Sequence, residues 1–337
     1  MSTFSIILPV RNGGNYLREC VQSILSQSLA NFELLVLENA STDNTLEILA
    51  SFNDSRIRIF PAAAPLSMEE NWKRAMTVPK SEFMTLIGHD DLLDKDYLET
   101  MQRLIAENPD ASLYQTHFRY IDAAGHTIGK CKPMKAVQNP EEALSNFLCD
   151  RTDLMGTGFM MRSKDYERVG GIPLYPNLLF ADMELWIRLA CIKYMAVAQG
   201  ECFSYRKHPS ATTSSSSDAR FIHAFDLLVN YLRELKKQSP ALAPVISRDG
   251  VELLRQYCQG ITHKVLRTPK AKRQTASVSE LIGIFREYGK QLCDGKFEPL
   301  DYPKIRAGKL IDSNSIFHAG FLLFKKIYNK PVLKSQD

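Results

Sequence analysis

Short apolar runs and apolar positions at helical spacing alternate along the first hundred residues of the chain. Phe4–Leu8 (FSIIL) reads as a buried strand, RNGGN as a turn, and Leu17, Val21, Ile24 and Leu25 as one face of a helix ending near Ser26. The pattern then repeats. FELLVL (Phe32–Leu37) is a second strand, followed by the polar turn ENASTDN and a helix over Thr45–Ala50. RIRIF (Arg56–Phe60) is a third strand, Ser67–Met76 a third helix and FMTLI (Phe83–Ile87) a fourth strand. Asp94 is expected to cap a helix over Lys95–Glu107. Strand alternating with helix at this rhythm predicts an α/β fold with a mainly parallel, doubly wound sheet, whose ligands bind beyond the carboxyl ends of the strands. RNGGN, ENASTDN and GHDD all follow strands, so the three loops should share one rim. The last of them ends a core strand in adjacent carboxylates, Asp90 and Asp91, and paired negative charge of this kind requires a compensating partner.

Composition narrows the class. The 337 residues are 45% hydrophobic and 24% charged, the balance of an ordinary globular protein long enough for a large domain and a smaller one. No apolar run reaches about 18 residues, and the start MSTFSIILPVRNGG lacks a basic region ahead of a long apolar stretch, so neither a membrane span nor a secretory leader is expected. Cys20, Cys131, Cys149, Cys191, Cys202, Cys258 and Cys293 are scattered, with no C-x-x-C pair. That favours reduced thiols over a disulfide framework or a zinc site, and a cytoplasmic protein. Net charge is +4, but residues 1–218 carry 21 Lys and Arg against 27 Asp and Glu, while residues 219–337 carry 21 against 11. The basic excess sits in the C-terminal third and suits an anionic membrane surface, placing the protein peripherally on the inner face of the cell membrane. Nucleic acid is not expected as a partner, because that region lacks the interleaved aromatic and basic motifs of a known module.

Four ordered motifs then carry a family resemblance over residues 3–215. The run from Phe4 to Leu49 resembles the N-terminus of the inverting family 2 glycosyltransferases of bacterial surface-glycan synthesis, with their P-x-Y/R-N turn, S-I-L-x-Q helix end and F-E-L-x-V-x-D-x-S-T-D-x-T segment. GHDD falls where those enzymes have a D-x-D-D site, LLFADMELWIRLA (Leu178–Ala190) is similar to their E-D-x-D/E-L-W-x-R-L helix, and YRKHPSATTSS (Tyr205–Ser215) to their Y-R-x-H-x-x-x-x-S segment. The resemblance implies the GT-A nucleotide-sugar-binding fold over residues 1–218, with a donor-binding half (1–110) and an acceptor-binding half (111–218), joined to a helical basic region at 219–337.

It also implies site residues. Pro9, Arg11, Glu38, Asn39 and Asp90 would bind the donor, a UDP-sugar, with Asp90 on the ribose. Asp91 and His208 would hold Mn2+ or Mg2+, whose charge neutralises the leaving diphosphate and which prefers hard oxygen ligands. Arg206, Gly156 and Thr157 would lie at the diphosphate or acceptor, the acceptor being a glycan or a lipid-linked sugar. Asp182 would be the catalytic base of a direct displacement, taking the proton from the acceptor hydroxyl, with Glu184 the runner-up base or an ion-pair partner of Arg188. Three positions depart from the pattern: Gly88 and Ala181 stand where acids are usual, and Asn39 where relatives use an acid on the base. These departures leave a degenerate sugar-nucleotide or glycan-binding module as the alternative. A nucleotidyltransferase would want a glycine-rich basic fingerprint that RNGGN does not supply. The run Ser210–Ser217 reads as a loop able to close over the donor.

In the C-terminal third, Phe221, Phe225, Leu228 and Tyr231 share one helical face and Leu253, Leu254, Tyr257 and Ile261 another. IFHAGFLLFKKIYNKPVLK fits either an interfacial amphipathic helix or a helix packed on the catalytic domain with lysines at its rim.

Overall fold

The computed structural model describes residues 3–208, 218–273 and 277–328. The chain divides into two compact units, Met1–Ser215 and Ser216–Asp337. The segment Ser210–Ser217, read above as a closing loop, lies outside the described residues apart from its neighbour His208 on one side.

The first unit carries β1 (Phe4–Val10), α1 (Leu17–Leu25), β2 (Phe32–Glu38), α2 (Thr45–Ala50), β3 (Ile57–Pro61), α3 (Met68–Lys73) and β4 (Phe83–Leu86). It continues through β5 (Leu92–Leu93), α4 (Tyr97–Glu107), β6 (Leu113–Ile121), β7 (Thr127–Lys130), β8 (Val137–Gln138), α5 (Pro140–Leu148), β9 (Met160–Arg162), α6 (Ser163–Arg168), α7 (Ala181–Ala190) and β10 (Met195–Arg206). Its sheet runs in the order β3-β2-β1-β4-β9-β6-β10-β5, with β7 added to β6 and β8 to β10. Strands β1 to β4 are parallel. Beyond them β9 enters antiparallel to β4, and β10 returns parallel to β6. The sheet is therefore parallel in its first half and mixed in its second.

Flanked by β2 and β4, β1 is buried at each of its seven residues, which explains a continuous apolar run instead of alternation. Its ladder with β4 stops at Ile7–Leu86. Pro9, which has no N–H to give, lies just past that point, where β1 and β4 part. This is the switch point of the sheet, with β2 and β3 on one side and β4 on the other, and the loops after β1, β2 and β4 converge there.

Two local expectations are corrected. The helix read over Ser67–Met76 is α-helical only to Lys73 and tightens into a 3-10 turn over Arg74–Met76; Ser67 caps it in a reciprocal box with Glu70. Asp94 does not cap α4 through its side chain. Its carboxylate pairs with Arg119 on β6, and the N-cap residue is Asp96, which makes no side-chain cap bond. The partner lies 25 residues away, beyond the reach of local pattern.

The second unit is helical among its described residues: α8 (Asp218–Gln238), α9 (Ala243–Arg267), α10 (Val278–Cys293), α11 (Pro303–Ser313) and α12 (Ser315–Tyr328). No described helix is long and apolar enough to cross a membrane. Its core stacks Phe225 on Phe285 with ring centroids 5.4 Å apart, among Leu228, Ile246, Leu254 and Ile282. A buried ion pair fastens the far end, with Arg273 Nη1 2.6 Å from Asp312 Oδ1, and the Val278 N–H donates to Asp312 Oδ2 at 2.8 Å. Burial works to raise the Asp312 carboxyl, but the Val278 amide and Arg273 outweigh it and hold it below 3.8. Removing one partner strands a buried charge, so Asp312→Ala is expected to cost about 3–5 kcal/mol in the denaturant unfolding of this unit, read by far-UV circular dichroism. Wild type should also lose stability as pH falls through the lowered native pKa of Asp312, because the unfolded state then binds a proton more readily than the native one.

Candidate active site

The rim at the switch point is assembled by side chains that fold the loops onto one another. In the turn after β1, Asn12 is left-handed (φ 52°); its N–H donates to Ser41 Oγ at 3.0 Å and its Oδ1 accepts from the Thr42 N–H at 2.8 Å. The Gly13 N–H donates to Thr45 Oγ1 (2.9 Å) and the Gly14 N–H to Asp43 Oδ2 (3.0 Å). A Cβ on Gly13 would come within 2.7 Å of Val10 Cγ2, so the close approach of this turn requires glycine there. After β2, Glu38 is buried and its carboxylate accepts the Ala40 and Ser41 N–H groups (3.2 and 2.6 Å), folding a turn in which Ala40 is left-handed. Asn39 is clamped on Leu66, accepting its N–H at 2.8 Å and donating to its carbonyl at 3.0 Å.

Of the residues expected at the donor, Pro9 is buried within β1, and the polar atoms of Glu38 and Asn39 accept from or donate to backbone, so their side chains shape the rim. Arg11 is exposed on the rim.

The paired aspartates have opposite environments. Asp91 is 1% exposed; Thr157 Oγ1 donates to its Oδ2 at 2.7 Å and the Arg206 N–H to its Oδ1 at 2.9 Å. Burial first, and the charge of Asp90 second, push its carboxyl well above 3.8. Asp90 is more open, its side chain 26% exposed, and its Oδ2 lies 2.8 Å from His208 Nε2. Burial raises the Asp90 carboxyl, yet the His208 hydrogen bond and the charges of His89 and His208 bring it below 3.8 overall. Asp91, expected at the metal, thus has each oxygen accepting from a group of the protein, and Asp90, expected at the ribose, is the more open of the two. Both oxygens of Asp91 are taken inside the protein, whereas Asp90 stands with His208 at the surface of the rim. Gly88 makes room for this, since a Cβ there would lie 2.7 Å from Asp90 Oδ1.

Arg206, at the end of β10, is 2% exposed and spends its guanidinium on the protein. Nε donates to the Asp90 carbonyl (2.8 Å), Nη1 to the carbonyls of Asp122 and Ala123 (3.2 Å each) and Nη2 to Glu19 (2.7 Å), with the group 4.7 Å above the Tyr16 ring. This corrects its assignment to the diphosphate: it is a clamp tying β10, α1 and the β6–β7 turn to the aspartate loop. Thr157, expected at the acceptor, gives its hydroxyl to Asp91. Gly156 lies beside the Trp72 ring, 3.7 Å from where its Cβ would be.

Asp182 occupies the first turn of α7, partly buried, its Oδ1 accepting the Met183 N–H at 2.8 Å. Burial pushes its carboxyl up to about 6. The approach to α7 is strained: Asn177, Leu178 and Phe180 all have positive φ (54°, 55° and 65°), a conformation that costs non-glycine residues energy and that surrounding contacts must impose. Tyr175 donates its hydroxyl to Glu184, and Glu184 pairs with Arg188, whose Nη1 reaches the Val169 carbonyl at 2.9 Å. Glu184 is thus the ion-pair partner and not a second base. Farther along α7, Trp186 stacks on Phe159 (4.4 Å) and donates to the Met155 carbonyl at 2.9 Å, fixing the strand of backbone that carries Thr157. Burial first, and the charges of Asp91, Asp90 and Asp182 after it, push the hydroxyl of the half-buried Tyr205 up.

Glu19, Tyr16 and Tyr205 were not singled out by sequence. Glu19 and Arg206 are 187 residues apart, and no local motif announces their pairing. Among the described residues no three His, Cys, Asp or Glu converge on one metal position. Asp90 and His208 supply two ligands of suitable type, which suits an ion that takes its remaining ligands from phosphates and water.

Residues 5–170 match the family model for glycosyl transferase family 2. Glycosyltransferase GlyG of Streptococcus pneumoniae is 28% identical over 124 residues, 36% of this chain and 41% of its own length. An uncharacterized glycosyltransferase of Rickettsia typhi is 24% identical over 239 residues, 69% of this chain and 73% of its own. Among solved structures, Staphylococcus aureus TarS 1-349 in complex with UDP-GlcNAc superposes with a TM-score of 0.69 at 17% identity, covering 96% of this chain and 92% of that one. Mannosyltransferase PcManGT from Pyrobaculum calidifontis, in complex with GDP-Man and Mn2+, gives 0.52 at 14% identity, covering 96% and 88%.

The different burial of the two aspartates gives a test that needs no substrate. Asp91→Ala should lower stability by about 2–4 kcal/mol, because it strands the Arg206 amide and the Thr157 hydroxyl in the interior, while Asp90→Ala should stay within about 1 kcal/mol of wild type in differential scanning calorimetry. From the family model and the sheet shared with these transferases, the chain belongs to glycosyl transferase family 2 and has the GT-A fold.

Proposed function

We propose that the protein transfers a sugar from a UDP-sugar to a hydroxyl of a glycan or lipid-linked acceptor by a single inverting displacement. The observation that carries this reading is the pairing of Asp90 with His208, 2.8 Å apart, on the loop that follows β4 of a GT-A sheet; Asp182 on α7, its carboxyl raised to about 6, supplies the candidate base. TarS, with UDP-GlcNAc in its structure, supports a UDP-N-acetylhexosamine or related hexose as the donor. The scattered cysteines, with no C-x-x-C pair, favour a reducing compartment such as the cytoplasm.

Asp90 and His208 would hold Mn2+ or Mg2+, as the Mn2+ in PcManGT supports. The ion supplies charge neutralisation of the diphosphate as it leaves. The remaining work falls to the chain. Arg11 is the exposed cation of the rim and would face the donor. The αL segment before α7 sets Asp182 on a rigid support, since Trp186 and Glu184 anchor the helix behind it. Its carboxylate removes the proton from the acceptor hydroxyl as that oxygen attacks, and its raised pKa makes it a stronger base than an exposed aspartate.

Two measurements test the reading. In titration calorimetry, UDP should bind with Mn2+ present and lose at least tenfold in affinity in Asp90→Asn, while Arg11→Ala weakens binding severalfold; unchanged manganese-dependent binding in Asp90→Asn sinks the metal assignment. For the base, kcat/KM should rise as pH climbs through about 6 and level off above it, because only the deprotonated Asp182 accepts a proton. Asp182→Asn should keep UDP affinity and lose about 10²–10⁴ in turnover. It should also be more stable than wild type above pH 6, by on the order of 1–3 kcal/mol, with the difference gone below pH 4, since a carboxyl whose pKa is raised on folding weakens the native state only where it is ionised.

A further inference from the structure

The final helix of the second unit, α12, is covered by its own unit on a narrow strip. His318 is buried, and Phe321, Leu322 and Lys325 are half-buried. Facing outward are Ile316 (80% exposed), Leu323 (60%), Ile327 (67%) and Tyr328 (66%), together with Phe317 and Phe324 at about half exposure. Positions 316, 317, 320, 323, 324 and 327 recur at intervals of three and four, so they share one side of the helix, with Gly320 in its middle. Leu310 on α11, 59% exposed, adds to the apolar surface of these two helices. Single exposed apolar residues are ordinary; a continuous set on one helix is not.

Charge narrows what covers it. Between Tyr302 and Tyr328 the sole carboxylate is Asp312, buried against Arg273, while Lys304, Arg306, Lys309, Lys325 and Lys326 are all basic. The His263 imidazole, whose ring lies 6.1 Å from that of Phe321, borders the covered strip and adds no charge to it, because burial first and then the charges of Lys325 and Arg267 push its pKa down and favour the neutral ring. The outward face is thus apolar and aromatic, and the segment that carries it, Tyr302–Tyr328, has five Lys and Arg against one carboxylate, which is buried in an ion pair. A second copy of the same face would bring these cations together, and an aqueous surface would leave the aromatics wet. An anionic bilayer satisfies both. At about 1.5 Å per residue the 14 residues of α12 extend roughly 21 Å, too short to span the hydrocarbon core but suited to lying in the interface.

We propose that α12 is an interfacial anchor that docks the C-terminal unit on an anionic lipid surface, Ile316, Phe317, Leu323, Phe324 and Ile327 entering the headgroup boundary and the exposed Lys304, Arg306, Lys309 and Lys326 attracting the lipid phosphates. The inference stands apart from the transferase reading, and its test involves no catalysis.

The full chain is floated with vesicles of pure phosphatidylcholine and with vesicles of phosphatidylcholine mixed with phosphatidylglycerol, at low and high salt. Light scattering on a sizing column gives its mass without lipid. Wild type should float with the anionic vesicles, at least tenfold better than with neutral ones, and lose most of that binding at high salt. The exposed triple variant Phe317→Ser, Leu323→Ser, Phe324→Ser should stay in solution with its circular dichroism unchanged. Lys309→Glu with Lys326→Glu, both exposed, leaves the apolar face intact and should weaken flotation at least tenfold, each basic group contributing roughly fivefold. Absence of flotation with anionic vesicles overturns the proposal, as does equal flotation with neutral ones. A triple variant that floats like wild type but halves the mass of the free protein overturns it in favour of an interface between copies.

Discussion

Asp91 is a carboxylate placed where water cannot reach it, next to a second carboxylate, and the catalytic unit is organised around making that tolerable. A buried charge is costly unless donors meet it, and both of its oxygens are met: one by Thr157, one by the backbone of Arg206. Each donor brings its own element. Thr157 belongs to the segment that Trp186 of α7 holds by its carbonyl, and Arg206 ends β10 and grips α1 through Glu19. One buried oxygen pair therefore ties the end of β4 to α7, β10 and α1.

That arrangement frees the neighbour. With Asp91 turned inward and satisfied, Asp90 is displayed at the rim against His208, held in its ionised form. The same pair of identical residue types thus divides into a structural and a surface-facing member purely by environment. Asp182 shows the opposite balance, a carboxylate with little to meet it beyond the next amide, whose pKa rises accordingly. Its strained approach through Leu178 and Phe180 is backed by the contacts of Tyr175 and Arg188 with Glu184, which hold the first turns of α7.

The second unit is assembled by different means, a stacked aromatic core closed by the Arg273–Asp312 pair, and it leaves the apolar face of α12 uncovered. The charge asymmetry along the chain is carried there by the same two helices, α11 and α12, that expose this apolar face.

By itself the sequence determined the strands and helices of the first half, the rim formed by the loops after β1, β2 and β4, and the residue types gathered there. These follow from short-range periodicity and from the rule that parallel strands point their carboxyl ends one way, both written in contiguous residues. It also drew attention to Asp90, Asp91, Asp182, Arg206 and His208 as a set. What it did not contain was the direction each side chain faces. Asp90 and Asp91 are indistinguishable in GHDD, and only the arrival of Thr157 and Arg206, 66 and 115 residues later, decides which is consumed by the interior. Arg206 looked like a phosphate ligand until Glu19 and three carbonyls took its donors, and Asn39 like a base contact until Leu66 took its amide. A hydrogen-bonding group has a fixed number of partners, and whether they come from the chain or from a ligand is settled when distant segments meet, so it was the tertiary structure that decided which polar residues remained to act.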